Sequence, residues 1–167
     1  TANANNIAIG DDTMGSMADS GGNYNVALGG RALFTANSAM IENTALGYEA
    51  MGDLNHADAD NNTAIGCYAM DGAGALAHTE NVFVGRHAGG GVWVNNACTH
   101  NVGIGNNSMD AAMDGATYDT AVGYESLSGI IGGDHNSALG YASGAGLTTG
   151  EQSVAIGSKA MQTHTTG

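Results

Sequence analysis

The feature that most constrains this chain is a short phrase built around a glycine. It reads "NTALGYEAM" at 43–51 and "NTAIGCYAM" at 62–70. Aligned on the glycine, seven more copies follow the same pattern: "NIAIGDDTM", "NVALGGRAL", "NVFVGRHAG", "NVGIGNNSM", "DTAVGYESL", "NSALGYASG" and "SVAIGSKAM". Their glycines are Gly10, Gly29, Gly47, Gly66, Gly85, Gly105, Gly123, Gly140 and Gly157, spaced 17–20 residues apart. A period of this size means one supersecondary unit stacked on copies of itself. The array runs through residues 1–167 with no linker or second domain in the sequence.

Each position of the phrase has its own chemistry. Four residues before the glycine stand Asn6, Asn25, Asn43, Asn62, Asn81, Asn101 and Asn136, with Asp119 and Ser153 as departures. One before it is always Ile, Leu or Val, and two before it is usually Ala. Four after it is Met or Leu, except at Gly89 and Gly144. Large apolar residues alternating with small or polar ones are the period of a strand. A helix would lose about 1 kcal/mol at every glycine.

The fold class predicted is therefore all-β, a parallel β-solenoid of about nine coils. A strand of four or five residues reaches the glycine, where positive φ carries little steric cost. A second short apolar run begins at Ala-Met. Coils about 4.8 Å apart make a column of roughly 43 Å. The asparagines and glycines are read as structural, the asparagines bonding each other up the stack as identical side chains do in ladders.

Stacking can be checked against neighbouring copies. Asp12, Arg31 and Glu49 share one position in successive copies and alternate in sign, a favourable cross-strand arrangement. Phe83 replaces the column Ala in the fifth copy, and Gly103 replaces it in the sixth. A large side chain beside an absent one satisfies volume matching.

Composition enters through bulk and charge. With 28 Gly, two Phe and one Trp, the core of one chain is thin. The Ile and Met columns are expected to need a partner surface, and a homotrimer is the expected assembly. The net charge of −13 comes from 16 acidic against three basic residues. Nucleic acid is excluded by the lack of Lys and Arg for phosphates, and anionic membrane surfaces are disfavoured. No apolar run is long enough to insert in a membrane as a helix. The opening "TANANN" enters the first copy at once, as a segment of a longer chain would. Cys67 and Cys98 are expected to be free thiols.

The repeat N-[TSV]-A-[ILV]-G-x-x-[AS]-[LM] resembles the head repeats of trimeric autotransporter adhesins. It is still more similar to arrays in bacteriophage tail fibres and tailspikes, because "NTALGYEAM", "DTAVGYESL" and "NSALGYASG" carry Tyr after Gly. The resemblance implies a left-handed parallel β-roll, assembled as a homotrimer and projecting from a virion or a bacterial cell surface. The period of 17–20 exceeds that of the adhesin heads, which implies longer loops on one edge.

Three groups of residues could carry chemistry. The irregular fifth copy, "NVFVGRHAGGGVWVNNACTH", contains Arg86, His87 and Trp93. Aromatic and Arg side chains in a long loop suit a glycan platform; filling of a local gap by Trp93 is the competing reading. Asp58 and Asp60, near His56 and Asn62, offer oxygen ligands at alternate positions for Ca²⁺, or else form an exposed acidic turn. His100 and His135 share the position five before the glycine with Tyr24, Tyr118, Glu42 and Glu80, which reads as a tolerant surface site. No nucleophile elbow and no HExxH stretch is present. Asp110 and Asp114 would serve glycoside hydrolysis only with one pKa raised. The chain is thus expected to be no enzyme and to hold no cofactor beyond Ca²⁺. Its expected role is that of a fibre segment attached to a virion, contacting a cell-surface glycan or receptor. The head of a bacterial adhesin is the alternative, with a polysaccharide-cleaving tailspike behind it.

Overall fold

The computed structural model describes residues 5–16, 22–36 and 39–165. Among the described residues, nine three-residue strands lie in one parallel sheet in sequence order. They are β1 (Ile7–Ile9), β2 (Val26–Leu28), β3 (Thr44–Leu46), β4 (Thr63–Ile65), β5 (Val82–Val84), β6 (Val102–Ile104), β7 (Thr120–Val122), β8 (Ser137–Leu139) and β9 (Val154–Ile156). Eight in-register pairings join them, so each residue sits above its counterpart in the next copy. The chain is a parallel β-solenoid of about eight turns between first and last strand. One turn of 3₁₀ helix, Asp71–Ala73, is the helical element among the described residues.

The strands are shorter than the four or five residues expected, and the asparagine and glycine explain why. Each motif glycine has φ between +117° and +140°, for example +137° at Gly66, so extended pairing stops there. A Cβ on Gly66 would lie 2.4 Å from the Gly85 carbonyl oxygen, so close stacking independently demands glycine. At the other end the asparagine leaves the sheet to build its own ladder. Asn43 Oδ1 accepts from the Asn62 backbone N–H at 2.9 Å and from its Nδ2 at 3.1 Å. Asn43 Nδ2 donates to the Ala59 carbonyl at 2.8 Å. These amides are fully buried, where an unpaired polar group would cost about 1–3 kcal/mol.

The Ala-Met stretch is not a second strand. Residues two and four after the glycine are left-handed in every copy, as Glu49 (φ +52°) and Met51 (φ +53°) illustrate. So is the residue five before it, as at Tyr118 (φ +58°). Such residues each cost roughly 1–3 kcal/mol. Backbone bonds to neighbouring coils offset the strain: Glu49 N–H donates to the Gly30 carbonyl at 3.0 Å, and Met51 N–H to the Ala69 carbonyl at 2.9 Å.

This turn corrects the expectation that the Met column faces a partner. It folds the chain under its own sheet, and Leu33, Met51, Met70, Met109 and Leu127 become fully buried against the Ala column of the strands. The Ile column faces outward: Ile9, Leu28, Leu46, Ile104, Leu139 and Ile156 are exposed on the outer sheet face. Phe83 pairs with Gly103, whose added Cβ would lie 2.6 Å from the Phe83 ring. Gly89 does the same service in the Met column at 2.7 Å. The departure at position 89 and the one at 103 therefore share a cause.

Candidate functional site

Trp93 is not an exposed platform. It is 4 % exposed and meets His78 edge-on at 4.6 Å and Phe83 at 5.6 Å between ring centres. The long loop after β5 turns inward because Phe83, with two glycines facing it, creates an aromatic pocket that the indole closes. His78 completes it. Its Nε2–H donates to the Ala73 carbonyl at 2.7 Å, and its Nδ1 accepts from Cys98 N–H at 2.9 Å. Those partners fix the neutral tautomer, and burial pulls the imidazole down to about 4.

Arg86 and His87 remain together on the surface, separated from Trp93. Arg86 is exposed in the turn after β5, and its backbone N–H donates to Asn106 Oδ1. His87 stacks on Tyr68 with ring centres 4.9 Å apart. The other two basic residues are engaged: Arg31 pairs with Glu49, in line with the alternating charges, and Lys159 lies over Tyr141 at 5.9 Å.

The calcium reading is also changed by geometry. Asp58 is exposed, whereas Asp60 Oδ1 accepts the Ile41 backbone N–H at 2.7 Å. Asp60 thus ties its coil to the preceding one, and burial, with Asp58 adding to it, raises its carboxyl. Among the described residues no group of three or more His, Cys, Asp or Glu could hold a metal ion. Asp110 and Asp114 are perturbed by different neighbours. Burial, then Glu125, raises Asp110, while Asn95 and Asn96 hold Asp114 low. Neither carboxylate acts on the other. Cys67 and Cys98 are free, and burial pushes the Cys98 thiol up to about 11.

What the structure adds is a pair of ring-lined ridges flanking the sheet. On one, Tyr118 is stacked between His100 at 4.6 Å and His135 at 5.0 Å. On the other, Tyr124 stacks on Tyr141 at 5.8 Å, and Tyr48 meets Tyr68 edge-on. The shared position of Tyr118, His100 and His135 in the repeat was the sequence signal for the first ridge. The stacked rings cover each other's faces and offer edges and hydroxyls, while His100 Nε2 is taken by Glu80 and its Nδ1 is buried. They suit hydrogen bonding to a polar ligand more than stacking of a sugar face.

The third surface is the sheet face between the ridges. It consists of the first and third residue of every strand, and none of these eighteen side chains is charged. Compared with protein-family models, curated proteins and solved structures, the chain matches none.

Proposed function

We propose that the chain is a structural and adhesive segment of a bacteriophage tail fibre or tailspike. It projects from the virion as a homotrimer and presents its ridges to glycans of the host surface. The observation that supports this reading is the uncharged sheet face. Copies carrying −13 each repel one another, so lateral association requires a surface free of like charge. The face provides one along all nine strands, and its constant repeat of about 4.8 Å makes it complementary to itself. Exposed Leu46, Ile104 and Leu139 supply the apolar contact. Tyr48, Tyr124 and Tyr141, each directly after a motif glycine, carry the similarity to the phage arrays. Their hydroxyls, with Arg86, are the groups offered to a glycan.

Two measurements test the reading. Sedimentation of the purified chain should give three copies, and Leu46→Glu with Ile104→Glu should give one. A wild-type monomer would refute the assembly. Virions whose fibre lacks residues 5–165 should fail to adsorb to their host; normal adsorption would remove the adhesive role.

A further inference from the structure

The asparagine ladder contains one acid, and its surroundings are those of an amide. Asp119 is fully buried at the foot of β7. Its N–H donates to Asn101 Oδ1 at 2.9 Å, and its Oδ1 accepts from Asn136 N–H at 2.7 Å and Nδ2 at 2.9 Å. These are the bonds an asparagine makes there. The remaining oxygen, Oδ2, occupies the place of an amide nitrogen and has no partner.

The other ladder members show what that place requires. Asn25, Asn43, Asn62, Asn81, Asn101 and Asn136 each donate from Nδ2 to the carbonyl three residues before the next ladder member. For Asp119 the corresponding carbonyl is that of Gly133, which receives no such bond. A carboxylate there would set its charge against a carbonyl oxygen, inside a protein of net charge −13.

We propose that Asp119 is carried as a neutral carboxylic acid whose Oδ2–H donates to the Gly133 carbonyl, and that loss of this proton to water loosens the coil of β7 from that of β8. The array then contains a joint that weakens as pH rises.

The electrostatics agree. Burial, with the nearby Asp134 carboxylate adding to it, raises Asp119 to about 7, against the lowering effect of Asn136. Asp134 itself accepts from Thr117 N–H and Oγ1. The buried Cys98 thiol also lies within electrostatic range and stays protonated. Tyr118, next in the chain, is exposed in the ring stack with His100 and His135. A folded-state pKa raised from 3.8 means full stabilisation below about pH 4, lost progressively as pH climbs to about 7. The unfolding equilibrium should shift by roughly 10- to 1,000-fold across that window.

Carbon-13 NMR of the Asp119 carboxyl in the wild-type chain is the direct test. A transition near neutrality is expected; titration below pH 5 would overturn the proposal. Asp119→Asn should restore the missing amide. Its denaturation midpoint should exceed the wild type's at pH 8, with the gap closing at pH 4. Amide exchange at pH 8 should be slower in the variant across Thr120–Val122 and Ser137–Leu139, and unchanged in Val26–Leu28. Parallel pH profiles for the two proteins would also overturn it.

Discussion

The third and fifth coils solve one packing problem in opposite ways. Around β3 the interior is filled by repetition: Ala45 in the strand, between Ala27 and Ala64, and Ala50 and Met51 in the turn. Around β5 it is filled by exchange. Phe83 takes the volume of two neighbouring side chains, Gly89 and Gly103 give it up, and Trp93 with His78 seals the gap. Backbone stacking is the same in both, with ladder bonds near 2.8 Å from Thr44 N–H to Asn62 and from Val82 N–H to Asn101. The solenoid fixes where each rung lies, while the identity of a core residue is free so long as the volume of a column closes.

The largest expected effect breaks the exchange directly. Phe83→Ala should destabilise the chain by about 3–5 kcal/mol, the cost of an unfilled aromatic cavity. Gly103→Ala in the wild type should also destabilise, through overpacking, by about 1–3 kcal/mol. Combined, the two should cost clearly less than their sum, because the double variant restores the regular Ala column. Ala45→Phe, with no facing glycine, should lower the midpoint on its own. Urea denaturation at fixed protein concentration reads all four, and strict additivity would show that Phe83 and Gly103 do not exchange volume.

A smaller effect sharpens the comparison through pH. His78 is held well below its usual value, so it stabilises the fifth-coil region above pH 6.5 and that contribution is lost as pH falls towards about 4. Acid should weaken this region by roughly 1–3 kcal/mol, whereas the third coil has no buried histidine to titrate. Amide exchange at pH 4.5 should therefore rise around Cys98 relative to Thr44–Leu46. Equal rises in both would show that His78 does not govern it.

The smallest effect is at the surface. Arg31 and Glu49 pair across coils, but exposed pairs contribute little and are screened by salt. Arg31→Gln should shift the denaturation midpoint slightly at low ionic strength and not at high. A large, salt-independent loss would mean that the stacking of Arg31 on the Phe34 ring, at 4.6 Å, dominates.

Much of this was legible because a solenoid places like above like. The period located all nine strands to within a residue or two, and the column assignments anticipated the Asn ladder, the Arg31–Glu49 pair and Phe83 opposite Gly103. The candidate ligand residues fared differently. Arg86 and His87 stayed at the surface, but Trp93 was drawn inside and Asp60 was taken by the Ile41 amide. Those outcomes depend on return loops whose length varies from coil to coil, where the repeat carries no information.

The amino-acid order alone determined the rung spacing, the register and the need for glycine at each bend, because those are properties of a repeated local pattern. Only the tertiary structure decided that Tyr118, Glu49 and Met51 adopt left-handed backbone. Nothing in such side chains favours that conformation; it persists because the N–H of each strained residue is bonded to a neighbouring coil. The same contacts turned the Met column inward and left the uncharged sheet face outward, a choice made by the stack as a whole.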